Sequence, residues 1–242
     1  MRRINFSLNC RWYFGHRRTV PFSTVSAWLR LGSKYQIDHL RQDALQRLEE
    51  CLPPRSFIQF RDSMARMHLR DKNDAIEDMD FIHAIAVVNI AQECSEKQLL
   101  PGAFYWCASR LSNRELIDGF TDDQGNRWQL SKDDLCKCFD GQQWLRTEAL
   151  RIETELIDII PVNQCEHPEA CTDVAQDQAH IRRCLPIPTD ADPLQVPYWN
   201  KHDSMCVYCQ ERLAELYNRR SDTIWKQLGI CFQLGMEWPL PE

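Results

Sequence analysis

The stretch "LRLGSKYQIDHLRQDALQRLEECLPP", residues 29–54, contains the pattern of an amphipathic helix. One apolar residue recurs every four positions, at Leu40, Ala44, Leu48 and Leu52. This spacing predicts a single buried stripe along one helical face. Asp38 is placed to cap the first turn, and the pair Pro53–Pro54 forbids continuation of the helix. The stripe therefore needs a packing partner elsewhere in the chain.

A second helix is predicted immediately before this one. Leu29, Leu31 and Tyr35 belong to it, and we expect Gly32 to join the two helices. Little chain precedes the pair, so we expect Leu40, Ala44 and Leu48 to pack on helices after Pro54 or to stay partly exposed.

The composition predicts a globular, mainly helical protein. The chain has 242 residues, of which 43% are hydrophobic and 26% charged, so it can bury a sizeable core. Only 8 glycines occur, which disfavours glycine-rich phosphate-binding loops. No secretory signal and no run of about 18 apolar residues is present. We expect no membrane contact and a cytoplasmic or nuclear location.

The charge is unevenly distributed. The net charge of −6 disfavours broad binding to nucleic-acid phosphates. Residues 1–37 nevertheless contain seven lysines and arginines and no acidic residue. We interpret residues 1–22 as a disordered or mis-assigned leader. A mitochondrial presequence is the alternative, although Trp12, Tyr13, Gly15 and Pro21 interrupt its apolar face.

Further helical patterns fill residues 55–160. Apolar stripes run through Phe57, Phe60, Met64 and Met67, through Phe81, Ile85 and Val88, and through Phe104, Cys107 and Leu111 after a helix start at Pro101. Residues 122–126 form a turn signal. Ser131 with Asp134 resembles a capping box that starts another helix. Beyond Gly141 a longer stripe, Leu145, Ala149, Ile152, Leu156 and Ile159, runs to Pro161.

The last third changes character. Six prolines between residues 161 and 203 predict a long proline- and cysteine-containing loop. Helical periodicity returns over residues 204–242, with Ser204 as a candidate cap and Leu213, Ile224, Trp225 and Leu228 as buried positions. The apolar end, "FQLGMEWPLPE", is expected to dock on the helices.

The sequence contains no strong enzyme signature. It lacks a Walker phosphate loop, G-x-G-x-x-G, G-x-S-x-G and H-E-x-x-H. The acidic neighbours Asp133, Asp134, Glu77, Asp78 and Asp80 fit a solvated surface better than an acid–base pair. We therefore predict no catalytic residues, no cofactor-binding residues and no enzyme activity.

The 12 cysteines need an explanation other than disulfides in a reducing compartment. Four of them stand singly among apolar neighbours and are expected in the core: Cys51, Cys94, Cys107 and Cys231. Cys136 and Cys138 are two residues apart on a helix, so they face different ways and are poor chelators.

A metal site is predicted from the cysteines of the last third. Cys206 and Cys209 form a C-x-x-C motif at a helix start, and Cys165 and Cys171 offer a second half-site. Four thiolates suit structural, tetrahedral zinc with no open position. Possible substitute ligands are His167, Cys184, His180 and His202. Packed or solvent-facing free thiols and redox chemistry are the alternatives.

The segment "LRLGSKYQIDHLRQDALQRL" resembles the closing helices of a BTB/POZ domain. The rest of the chain is similar to the helical C-terminal extension of fungal, mushroom-type BTB proteins, and the whole resemblance covers about residues 25–240. This resemblance rests on four features: the segment "AIAVVNIAQECSEKQLLPGAFYWCA", the paired cysteines, the C-x-x-C before a long helix, and the final Trp225–Trp238 stretch.

The resemblance implies a protein-interaction module. BTB domains dimerise and recruit partners, in some families as substrate adaptors of cullin-RING ubiquitin ligases. We expect an irregular multi-helix bundle, with residues 23–54 as the end of a truncated BTB domain and 55–160 as its helical extension. The predicted function is non-catalytic protein interaction, as an adaptor or scaffold. The alternative is a zinc-stabilised regulatory module that contacts nucleic acid through Arg182, Arg183, Arg212, Arg219 and Arg220.

Overall fold

Helices form most of the protein, which confirms the predicted mainly α fold. The computed structural model describes residues 19–69, 75–77, 79–184, 193–194 and 205–241. The helices in these residues are α1 (Phe22–Tyr35), α2 (Asp38–Cys51), α3 (Phe57–Leu69), α4 (Ala84–Glu93), α5 (Leu100–Arg110), α6 (Asn113–Asp118), α7 (Lys132–Asp158), α8 (Pro168–Cys184) and α9 (Val207–Cys231). Short 3₁₀ turns at Phe81–His83 and Lys97–Leu99 precede α4 and α5.

Helix α5 lies at the centre of the fold. All its residues from Leu100 to Ala108 are buried, and Pro101 occupies its first turn as the sequence predicts. Tyr105 packs edge-on against Phe60 of α3, with ring centroids 5.4 Å apart. Phe104 stacks on Phe232, after the end of α9, at 5.5 Å. A helix that is apolar on every side is stable in water only when other elements enclose it.

Helices α1 and α2 form a tight antiparallel pair, but Gly32 does not join them as predicted. Gly32 lies inside α1, which ends at Gln36 in the left-handed conformation with φ 55°. A Cβ at Gly32 would lie 2.6 Å from the backbone nitrogen of Arg41. The glycine is therefore explained by the close approach of α2 and not by a break in the helix.

The predicted stripe of α2 is largely confirmed. Ala44, Leu48 and Leu52 are buried, while Leu40 is half-buried. Leu52 reaches α5, because its Cδ2 would lie 3.2 Å from a Cβ at Gly102. The stripe thus packs in part on helices beyond Pro54. The cap prediction is wrong, since Ile37 is the N-cap residue and Asp38 lies in the first turn, where its charge favours the helix dipole.

The C-terminal segment docks as predicted. The ring of Trp225 in α9 lies 4.4 Å from that of Phe60 and 4.8 Å from that of Trp238. The Nε1 of Trp238 donates a hydrogen bond of 2.8 Å to the carbonyl oxygen of Trp225. The backbone N–H of Leu240 donates to the carbonyl oxygen of Pro54 at 3.1 Å. The chain after α9 therefore turns back to the end of α2.

The two helical patterns predicted on either side of Gly141 belong to one helix, α7. Ser131 caps it, since the Ser131 Oγ accepts the backbone N–H of Asp134 at 3.1 Å. Gly141 lies inside this helix, and its lack of a side chain leaves room for the ring of Phe232. A Cβ at Gly141 would lie 2.2 Å from Cε1 of Phe232.

The loop predicted over residues 161–203 is wrong over part of its length, because it contains α8. Pro168 is the first residue of this helix, a position where its missing N–H costs nothing. No further proline occurs until Pro186, and alanine and glutamine favour a helix in between. Prolines therefore bound this helix and do not prevent it.

The strands are two residues long, and no pattern in the sequence predicts them. β1 (Val20–Pro21) pairs in parallel with β2 (Ile76–Glu77). β3 (Phe120–Thr121) pairs in antiparallel fashion with β4 (Arg127–Trp128) across the turn predicted at residues 122–126.

Asp122 organises this turn. Its carboxylate accepts the backbone N–H of Asn126 at 2.8 Å and the Nε1–H of Trp128 at 3.0 Å. Burial acts to raise the pKa of Asp122, but the hydrogen bonds from Asn126, Trp128 and Gln124 outweigh it and lower that pKa below its usual value.

Replacement of Gly141 by alanine tests the contact with Phe232. Alanine in a helix normally stabilises by up to about 1 kcal/mol relative to glycine. Here we expect the free energy of unfolding to fall by about 1–3 kcal/mol, because the new methyl group overlaps the ring. Urea denaturation measures the change. In a Phe232→Leu background the loss should shrink, and an equal loss in both backgrounds would refute the steric explanation.

The pKa of Asp122 predicts a pH dependence of stability. Because this pKa is lowered in the folded state, its contribution is present above the unfolded value of about 3.9 and is lost as pH falls through the folded value. The stability difference between wild type and Asp122→Asn should therefore narrow as the pH is lowered below about 4 in urea titrations. Asp123→Asn, in the same turn, serves as the charge-matched control. A difference for Asp122→Asn that stays constant with pH would contradict the prediction.

Candidate metal centre

Two of the four predicted ligands lie on either side of the start of α8. Cys165 lies in the turn after α7, where its backbone N–H donates to the carbonyl oxygen of Val162 at 2.9 Å. Cys171 lies in the first turn of α8, and its N–H donates to the carbonyl oxygen of His167 at 2.9 Å. The six-residue separation of the two cysteines is thus bridged by the turn that starts the helix.

The other two ligands lie at the start of α9. Cys206 is its N-cap residue and Cys209 lies in its first turn. One helical turn therefore places the two sulfurs on the same side, as the C-x-x-C motif predicts.

The structure brings the four cysteines together. The Sγ atoms of Cys165, Cys171, Cys206 and Cys209 all lie within 4.8 Å of one another. The Sγ atoms of Cys165 and Cys206 are 3.6 Å apart. Cys171, Cys206 and Cys209 are buried and Cys165 is half-buried. This arrangement could hold a metal ion.

Backbone N–H groups point at the sulfurs. The N–H of Cys206 donates to the Sγ of Cys171 at 3.4 Å. Burial acts to raise the pKa of Cys206, but backbone hydrogen bonds from Cys209 and Glu166 outweigh it and lower that pKa. Burial raises the pKa of Cys209 and of Cys171. The cluster therefore provides one thiol that ionises readily, Cys206, and two that need a positive charge nearby to stay ionised, Cys171 and Cys209.

A second anchor holds the chain between α8 and α9. The carbonyl oxygen of Pro193 accepts hydrogen bonds from the Oη of Tyr217 and the Oγ of Ser221, each at 2.9 Å. The adjacent Leu194 is buried. Neither contact could be predicted, since no pattern in the sequence links residue 193 to α9.

Of the substitute ligands, only His167 has a described side chain, and it is not part of the cluster of four. His167 is exposed. His202 lies outside the described residues, as do the side chains of His180 and Cys184.

The remaining cysteines mostly occupy the predicted environments. Cys51 and Cys107 are buried, whereas Cys94 and Cys231 are only partly buried. Cys136 is exposed and Cys138 is buried, so the two do face different ways. The ten cysteines whose side chains the structure describes form no disulfide.

Two of the five arginines on which nucleic-acid binding would depend form ion pairs with glutamates. Arg212 Nη1 lies 3.1 Å from Glu215 Oε2. Arg220 binds both carboxylate oxygens of Glu155, with its Nε 2.6 Å from Oε2. Ion pairing of this kind reduces the positive potential that phosphate binding needs.

A cleft of about 510 Å³ lies between the end of α2 and α3, apart from the four cysteines. Glu49 lines it, and burial raises the pKa of this carboxyl. Arg55 lines the same cleft, with its Nη1 3.7 Å from Oε2 of Glu49. The pair forms an ion pair at the cleft wall.

Within the described residues, no helix has the length and apolar character needed to cross a membrane. Comparison of the chain with protein-family models, with curated proteins and with solved structures finds no match. Its function must therefore be argued from its own residues.

Proposed function

We propose that the protein is a non-catalytic protein-interaction module of BTB type, an adaptor or scaffold, in which a structural Zn²⁺ ion bound by Cys165, Cys171, Cys206 and Cys209 fixes the region around α8. The observation that carries the zinc site is the convergence of four sulfurs within 4.8 Å. The sulfurs come from two stretches of sequence, and 34 residues lie between Cys171 and Cys206.

The donor set favours zinc. Thiolates bind soft or borderline metals, whereas Mg²⁺ and Ca²⁺ take oxygen ligands. Zinc–sulfur bonds of about 2.3 Å in a tetrahedron place the sulfurs about 3.8 Å apart. The 3.6 Å between Cys165 and Cys206 and the 4.8 Å limit of the cluster need only small adjustments to reach this value.

The same donor set supports a structural role. Four cysteines fill the tetrahedral shell and leave no position for substrate or water. The ion would cross-link the turn after α7, the start of α8 and the start of α9. Because the four sulfurs converge only in the folded chain, its binding energy would stabilise the folded state. Catalysis at this centre is not part of the proposal.

The interaction role rests on the BTB resemblance of residues 29–48. Support comes from the formation of α1 and α2 as a closely packed helix pair over this stretch. Leu31 and Tyr35 of α1 are exposed, at 44% and 61%, and offer apolar surface to a partner. A ubiquitin-ligase scaffold is one partner that the resemblance suggests. The free thiols fit the reducing cytoplasm or nucleus.

Metal analysis of the purified protein tests the zinc site. We expect one zinc per chain by inductively coupled plasma mass spectrometry, and loss of zinc in the variant Cys206→Ser, Cys209→Ser. Cys136→Ser is the matched control, because Cys136 is exposed and outside the cluster. Folded, reduced wild-type protein without zinc, or with iron in its place, would contradict the proposal.

Removal of the metal should loosen one region selectively. After treatment with a chelator, we expect amide hydrogen exchange to accelerate by at least about tenfold in residues 162–176 and 205–213, because the cross-link is lost. Residues 100–108 should stay protected, since α5 is enclosed by other helices. Equal exchange with and without chelator would show that the site has no structural role.

Quantitative affinity purification tests the interaction role. The variant Leu31→Ser, Tyr35→Ser should lose partners that wild type and an Ile58→Ser control retain, since Ile58 is comparably exposed on α3, at 60%. Identical partner lists for all three proteins would refute a role for this surface.

A further inference from the structure

Two short exposed segments surround the sulfur cluster. The residues between Cys165 and Cys171, numbers 166–170, are all exposed. Between Cys206 and Cys209, Val207 is 52% exposed and Tyr208 is 41% exposed. Because the flanking sulfurs lie within 4.8 Å of one another, both segments border the same small area of surface.

Helix stability does not account for the apolar part of this surface. Val207 and Tyr208 occupy the first turn of α9, where acidic or small polar residues are favoured and an exposed valine contributes little to helix stability. Tyrosine combines an apolar ring with a polar hydroxyl and is enriched in protein interfaces. The pair therefore resembles the centre of a binding site.

The described residues around the cluster carry more acidic than basic side chains. Arg212, one turn beyond Tyr208, is paired with Glu215 at 3.1 Å. Residues 152–181 contain seven acidic residues and no lysine or arginine. Of these, Glu166, Glu169 and Asp173 are exposed close to the cluster, and Glu211 is exposed one turn beyond Tyr208. A divalent ion with four thiolates adds a further net charge of about −2. Nucleic acids and anionic membranes are repelled by such a surface, whereas cationic groups are attracted.

We propose that Val207 and Tyr208 are the centre of a docking surface for a basic peptide segment of a protein partner, a segment that carries at least one large apolar side chain. This deepens the proposed function and rests on it, because the metal holds the two exposed segments side by side. Arginine or lysine side chains of the partner pair with Glu166, Glu169 and Asp173. The apolar side chain packs on Val207 and the Tyr208 ring, where an arginine also gains a cation–π contact.

Fluorescence anisotropy with three labelled synthetic peptides tests this docking surface. The first peptide, RRLWRKLR, carries both basic and apolar groups. The second, RRGSRKGR, keeps the charges alone, and the third, EELWEELE, keeps the apolar groups with reversed charge. We expect the first to bind at least about tenfold more tightly than either of the others, because burial of its apolar side chains adds to the attraction between charges.

Variants assign the binding to this surface. Val207→Ser, Tyr208→Ser should weaken binding of RRLWRKLR at least about tenfold. Glu166→Lys, Glu169→Lys should weaken it and reduce its dependence on salt. The matched controls are Ile230→Ser, at the far end of α9 and 79% exposed, and Glu237→Lys, also exposed. Both controls should bind as wild type does.

Zinc content is measured for every protein, so that the two proposals fail separately. Wild type without zinc overturns the metal site. With zinc present, the docking surface is overturned if RRLWRKLR fails to bind, if the three peptides bind equally, or if Val207→Ser, Tyr208→Ser binds like wild type. The same conclusion follows if the two control variants lose binding as strongly as the surface variants.

Discussion

The enclosure of α5 is the constraint on which the rest of the structure depends. From Leu100 to Ala108 this helix has no charged residue and no face to present to water. Its neighbours come from four segments. Leu52, just after α2, and Phe60 of α3 lie against Gly102, Phe232 lies against Phe104, and Phe81 contacts Trp106 with ring centroids 5.2 Å apart. Segments from the beginning, middle and end of the chain are therefore needed to complete one core.

Periodicity in the sequence predicted the helices well, because most of them bury one stripe against this core. The stripes of α2, α3 and α9 and the helix start at Pro101 could be predicted from spacing alone. Two errors concern glycines whose role depends on the element packed against them. Gly32 fits the backbone of Arg41, and Gly141 fits the ring of Phe232, so neither glycine marks a break. No local pattern reveals a partner that is 91 residues away.

The identity of the four cysteines in the cluster could be predicted from the sequence, but the path of the chain that brings them together could not. The C-x-x-C of Cys206 and Cys209 is local, and helix geometry alone places these sulfurs together. The wider spacing of Cys165 and Cys171 becomes intelligible only with α8, whose first turn returns Cys171 towards the turn that holds Cys165. The proline count predicted an irregular loop there. That prediction was wrong over α8, because proline indicates where helices begin and end but says little about the residues between.

The separation of the sulfurs along the chain has a consequence during synthesis. Cys165 and Cys171 emerge first, and 38 residues (209 − 171) must follow before Cys209 is made. At about 5–20 residues per second, the first half-site exists for about 2–8 seconds without its second half. During this interval two thiols are open to oxidation or to a bound metal carrier. For the metal site proposed above, the order of synthesis thus defines a short period in which two of the four ligands are present without the other two.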